Sequence, residues 1–115
     1  MHLLSEAGRF TAPAPGEPRH WVEHLRSADL SVGTYSVPAD GADLQQPHSE
    51  DEIYVVLSGR AVLEADSGRV PVSAGSVLFV PAGERHRFVE QTEPLAVLVV
   101  FAPAEGSRAE PATSG

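Results

Sequence analysis

From Glu52 onward the chain is punctuated by turn-forming residues at short, regular intervals: Ser58-Gly59, Asp66-Ser67-Gly68, Ala74-Gly75, Ala82-Gly83 and Thr92-Glu93-Pro94. The apolar stretches between them have no helical period and are expected as strands over about 52–58, 60–65, 69–72, 76–80, 85–91 and 95–102. Upstream, Leu30 to Val37 alternates as a strand does. His20 to Arg26 alternates more weakly, with Trp21, Glu23 and Leu25 opposite His20, Val22 and His24, and a helical turn is the alternative there. Many short strands divided by Gly/Pro turns make an all-β sandwich or barrel the expected architecture.

The chain has 115 residues, enough for one domain with a buried core and too few for two. Residues 1–19 carry Pro13, Pro15, Gly16 and Pro18 and are expected as an extended arm laid over the domain. The barrel is expected over 20–103, and 104–115, rich in Ala, Glu, Ser, Pro and Gly, reads as a disordered tail. Two strands are apolar on both faces: Ile53, Val55 and Leu57 back onto Tyr54 and Val56, and Leu95 to Phe101 does not alternate at all. A single sheet normally wets one face, so a second copy of the chain is expected to cover the outer one, giving a homodimer.

The same composition removes several chemistries. There is no cysteine, which excludes disulfides, zinc thiolates and cysteine nucleophiles. All eight basic residues are arginine, which excludes Schiff-base chemistry on lysine. A net charge of −8 spread along the chain repels phosphate backbones and anionic membrane surfaces, so nucleic acid and membrane are not expected partners. The longest apolar run, Leu95 to Ala102, is far short of a span, and Met1 to Glu6 lacks the character of a signal peptide, so a soluble cytoplasmic protein is expected.

Two segments carry ligand-type side chains to the end of an apolar strand. Gln46-Pro47-His48-Ser49-Glu50-Asp51-Glu52 leads into Ile53 to Leu57, and Gly75 to Val80 runs through Pro81-Ala82-Gly83 to His86. If both strands turn these faces into the barrel, His48, Glu52 and His86 converge. Two imidazoles and one carboxylate suit one divalent transition metal, Fe, Mn, Zn, Ni or Co, with open positions for water or substrate. Gln46 is a candidate fourth ligand through a neutral oxygen; otherwise it hydrogen-bonds Glu52 or a metal-bound water, and Gln45 is a weaker candidate for the same work. Glu50 and Asp51 read as a solvated acidic turn. His20 and His24 share a face without further support for a second site. Tyr35, Tyr54 and Phe88 are core or pocket aromatics, Arg85 and Arg87 are expected to point outward, and Glu90 to pair with an arginine or cap the barrel floor.

These segments resemble the two motifs of the cupin superfamily, and the chain looks like a small single-domain cupin of the conserved-barrel type. The second motif matches as Gly75, five residues, Pro81, one residue, Gly83, two residues, His86, with Glu90 where an asparagine usually closes it. The first matches in its second half, as His48, three residues, Glu52, six residues, Gly59; Gln46 stands where a histidine is usual, and Gly41 is one residue too close. The resemblance implies a double-stranded β-helix, or jelly-roll, barrel holding one metal ion near its mouth.

Two functional readings follow. In the first the protein is an enzyme acting on a small molecule by oxygenase, isomerase, cyclase or lyase chemistry, with Tyr54 and Gln46 as the polar groups beside the ion. In the second it is a non-catalytic module binding a small ligand or metal, including a form with a degenerate metal site. The substrate is not legible, because one fold hosts many reactions.

Overall fold

The structure is a computed structural model that describes residues 1–43 and 47–108. Its six strands are β1 (His20–Arg26), β2 (Ser31–Val37), β3 (Asp51–Ala65), β4 (Gly68–Ser73), β5 (Val77–Val80) and β6 (His86–Ala102). All pairings are antiparallel, along the path β1-β2-β6-β3-β4, with β5 on β3. The two long strands change partners midway. The first part of β3, from Glu52 to Val55, lies beside β5 and the end of β6; its second part, from Arg60 to Ala65, lies beside β4, with the start of β6 facing Val62 to Ala65.

The change of partner marks a corner. The ladder between β3 and β6 is irregular from Val56 to Val62, opposite the stretch of β6 that contains Glu90 to Glu93. Gly59 has φ +94°, and a Cβ there would lie 2.2 Å from the carbonyl oxygen of Pro94. Only glycine allows that backbone approach. The two halves then face each other: the Tyr54 and Phe88 rings lie 5.0 Å apart although neither is the other's ladder partner. Sequence reading divides the chain at Ser58-Gly59 and at Thr92-Glu93-Pro94, whereas β3 and β6 run through both places. A positive-φ glycine marks a bulge as readily as a turn, and here β3 and β6 stay paired with each other on both sides of it.

Alternate positions fill the interior. Tyr35 and Val37 from β2, Tyr54 and Val56 from β3, Phe88, Leu95, Val97, Val99 and Phe101 from β6 form one buried cluster. Burying each such side chain contributes about 1.5–3 kcal/mol. The opposite face of β2 is closed by the N-terminal arm, whose Gly8 and Thr11 amides donate to the buried hydroxyls of Thr34 (2.7 Å) and Ser36 (3.1 Å). On the outer face Ile53, Val77 and Phe79 stay exposed, Phe79 by 62%.

Ala104 to Arg108 do not follow the disorder expected of 104–115. Ala104 is buried, and the backbone amides of Gly106 and Arg108 donate to the Glu50 carboxylate at 2.8 and 2.9 Å. Composition predicts disorder when no buried group captures the backbone; here Glu50 does. Residues 109–115 lie outside the described residues. Among the described residues no helix is long and apolar enough to cross a membrane.

Candidate metal centre

The two sequence motifs meet because their turns are laced together. The amide of Gly83 donates to the carbonyl of His48 at 2.8 Å, and that of Ala82 to Asp51 Oδ1 at 3.0 Å. Glu52, the second residue of β3, lies between Val80 of β5 and Phe101 of β6, and His86 opens β6. One ligand atom from each of His48, Glu52 and His86 lies within 4.8 Å of the others. The Glu52 and His86 side chains are almost wholly enclosed, 2% and 1% exposed, while His48 is half-buried with its ring edge against Phe101, 4.7 Å between centroids.

Neighbouring oxygens orient the histidine. His86 Nδ1 is 2.8 Å from the Glu84 carbonyl oxygen, which can only accept, so Nδ1 carries the hydrogen and Nε2 is free to accept or ligate. Nε2 faces the Tyr54 hydroxyl at 2.9 Å and Glu52 Oε1 at 3.0 Å. The bond goes to Tyr54. Glu52 Oε1 makes an ion-pair contact there, and no hydrogen-bond partner for it is found among the described residues. Burial pulls the His86 pKa down, but Glu52, the Glu84 carbonyl and Asp43 together outweigh it and hold it above the ordinary imidazole value.

An enclosed carboxylate oxygen beside two imidazoles, with no hydrogen-bond donor among the described residues, is what a divalent cation would satisfy. The donor set therefore fits the metal that the sequence motifs suggest. The fourth sequence candidate, Gln46, lies outside the described residues together with Gln45. Tyr54 is fully buried against His86. Arg85 and Arg87 point outward to Asp66 (3.3 Å) and Glu64 (3.0 Å), and Glu90 pairs with Arg69. Glu64, Asp66, Arg85 and Arg87 border a cleft of about 300 Å³ against His86. His24 bonds Thr34 at 2.6 Å, and among the described residues no second ligand cluster includes it or His20.

Two buried carboxylates escape sequence reading. Asp43 accepts from the Tyr35 hydroxyl (2.5 Å) and the Phe88 amide (2.6 Å), and burial followed by the Asp43 charge pushes the Tyr35 pKa well up. Glu50, read from sequence as part of a solvated turn, is 1% exposed and accepts from Ser49, Gly106 and Arg108. An acidic run looks solvated by composition; only the distant amides that return to it disclose its use. Asp51 matches neither description fully, since it caps the Ala82 amide from an exposed setting.

A protein-family model described as a cupin domain matches residues 33–101, more than half of the chain. The chain belongs to the cupin family. An uncharacterized protein of Streptomyces coelicolor is 45% identical over 85 residues, 74% of this cupin and 81% of that protein. A protein of Thermotoga maritima named oxalate-binding protein is 35% identical over 69 residues, covering 56% of each chain. Among solved structures, a cupin 2 conserved barrel domain protein from Salinispora arenicola superposes with a TM-score of 0.64 at 26% identity, covering 72% of this cupin and 74% of its own chain. The all-β double-stranded β-helix expected from the motifs is thus the fold of this cupin. Cupins commonly bind a divalent metal, and this one brings two histidines and a glutamate together where such an ion would sit.

Proposed function

We propose that this cupin is a mononuclear metal-dependent enzyme acting on a small oxygen-bearing organic molecule, by oxygenase, isomerase, cyclase or lyase chemistry. His48, Glu52 and His86 hold one divalent ion, Fe, Mn, Zn, Ni or Co, and Gln46 supplies a neutral fourth ligand. The observation that carries this reading is the enclosed Glu52 Oε1, without a hydrogen-bond partner among the described residues and 3.0 Å from His86 Nε2. A bound divalent ion supplies Lewis-acid stabilisation of charge developing on a substrate oxygen. The chain's own groups do the rest. The Glu84 carbonyl holds the His86 ring in place, Tyr54 brings a hydroxyl to within 2.9 Å of Nε2 as the proton-handling group, and Phe88 and Phe101 keep water from the inner wall.

The test is elemental analysis of protein stripped and reloaded with Fe(II), Mn(II) or Zn(II). Close to one ion per chain is expected, lost in His86→Ala; no uptake from any of the three would overturn the reading. A second reading, a non-catalytic ligand-binding module, draws support from the Thermotoga maritima relative, whose name describes binding and not turnover. Calorimetric titration of the loaded protein with oxalate separates the two: heat with oxalate recovered intact favours binding alone, and consumption favours an enzyme. We also read the protein as a homodimer, from the exposed Ile53, Val77 and Phe79 on one outer face. Light scattering giving a monomer at micromolar concentration would remove that proposal. Nucleic acid and membrane surfaces are not among the expected partners, given the charge of −8.

A further inference from the structure

The segment after β6 is held unusually firmly for a chain of small and polar residues. Three of its backbone amides are captured by two buried side chains: Glu105 N by Ser31 Oγ at 2.9 Å, Gly106 N and Arg108 N by Glu50 at 2.8 and 2.9 Å. Ser31 and Glu50 are each 1% exposed, and Ser107 N closes the turn on the Ala104 carbonyl at 2.9 Å. The clamp residue, Glu50, lies midway between His48 and Glu52, so the segment is fastened to the same short stretch that carries two of the three metal-ligand candidates. Its one acidic side chain, Glu105, is delivered to His48, with Oε2 3.7 Å from Nδ1. That distance is an ion-pair contact, just too long for a hydrogen bond, and both side chains are only partly buried, 23% and 31% exposed.

We propose that Ala104 to Arg108 form a positioning strap for the metal centre. Glu50 clamps the strap, and Glu105 holds the hydrogen of His48 on Nδ1, leaving Nε2 for the ion. The proposal rests on the assignment of His48 as a ligand made above. Its chemistry is that of an imidazole oriented from its outer nitrogen: an acceptor there fixes the tautomer and ring angle and strengthens the inner nitrogen as a donor. His86 already has such an acceptor in the Glu84 carbonyl, 2.8 Å from its Nδ1. Glu105 gives His48, the more exposed of the two, the corresponding partner. Glu105 is thus a positioning residue, acting on the ion only through His48.

The experiment pairs two readouts on Glu105→Ala. The first is Zn(II) and Mn(II) affinity by chelator competition; the second is the imidazole nitrogen spectrum of metal-free protein labelled at histidine. Affinity should fall about tenfold or more, the usual scale for loss of such an outer partner, with the thermal midpoint nearly unchanged. Glu105→Gln, which keeps an acceptor oxygen, should recover part of the loss. Glu50→Gln should weaken metal binding to a similar degree, and combining it with Glu105→Ala should add little, because both act through one contact. In the spectrum, His48 of the unaltered protein should carry its hydrogen on Nδ1 and should shift toward the other tautomer in Glu105→Ala. Affinity within twofold of the unaltered protein in Glu105→Ala would overturn the proposal. So would a His48 that already carries its hydrogen on Nε2. If the unaltered protein takes up no metal, the metal reading itself fails, and the nitrogen spectrum alone then decides whether Glu105 sets the His48 tautomer.

Discussion

Replacing Glu50 by glutamine removes one charge and nothing of the side chain's shape, which makes it the sharpest probe of how the end of the chain is held. The carboxylate is 1% exposed and accepts two backbone amides, at 2.8 and 2.9 Å, besides the Ser49 hydroxyl. A hydrogen bond to a charged group contributes about 1.5–3 kcal/mol. Glutamine keeps one acceptor oxygen but turns its NH2 toward a donor, so one amide is left unsatisfied and the other bond loses its charge. The expected loss is about 2–3 kcal/mol, out of a total of about 5–15 kcal/mol for a domain. For a domain of this size that lowers the thermal midpoint by roughly 10 °C. The pH dependence adds a second signature. Burial raises the Glu50 pKa, but the Ser49, Gly106 and Arg108 donors outweigh it and hold it below the ordinary value. The folded protein therefore releases this proton more readily than the unfolded chain. Its contribution is complete above the ordinary glutamate pKa of about 4.3 and is lost as pH falls through the lower folded value. Urea unfolding followed by Trp21 fluorescence, at pH 7 and at steps toward about pH 3, should show the gap between the two proteins narrowing on acidification. A gap under about 0.5 kcal/mol at pH 7, or one that stays constant with pH, would refute the clamp.

Gly59→Ala forces a Cβ to 2.2 Å from the Pro94 carbonyl at φ +94°, and should destabilise by at least about 3 kcal/mol in urea unfolding. Gly16→Ala has a similar φ, +86°, with open space around it, and should cost only about 1 kcal/mol, so equal losses would mean that the corner is not tightly packed. Gln46→His restores an imidazole and should tighten Zn(II) binding in chelator competition; unchanged affinity would place the Gln46 side chain away from the ion. Tyr54→Phe removes the hydroxyl 2.9 Å from His86 Nε2 and should leave metal content near one ion per chain while depressing turnover. Loss of the metal instead would make Tyr54 part of the ion's support.

The fold and the centre were legible to different depths, for physical reasons. Strands were readable because alternation and turn residues are local, and His48, Glu52 and His86 were readable because fixed spacings tie them to strand ends. The corner at Gly59 was misplaced as a turn because a bulge and a turn make the same demand on one glycine, and they differ only in whether the partner strand continues. Glu50 was misread for a different reason. Its partners, Gly106 and Arg108, are backbone amides more than fifty residues away, and a backbone amide leaves no mark in the residue alphabet. Asp43 was invisible in the same way, since what it satisfies at Phe88 is again a main-chain N–H.

The stretch from His48 to Glu52 illustrates why a site can keep its geometry when one usual imidazole is an amide. In the proposed site an amide at Gln46, a weaker donor than imidazole, would lower the intrinsic affinity of the set. What the protein controls independently is the cost of ordering the remaining donors, and here that cost is largely met before any ion arrives. The carbonyl of His48 is tied to Gly83, Asp51 to Ala82, Glu50 to Gly106 and Arg108, and Glu52 is fixed within a three-strand ladder. Four of the five residues are thus anchored, two of them to the Ala82-Gly83 turn, one to the segment after β6 and one between β5 and β6, and none of the four can shift without breaking a contact elsewhere. Preorganisation of this kind leaves more of the metal-binding energy for binding itself. It also makes the proposed centre sensitive to changes at the end of β6 as much as in either motif.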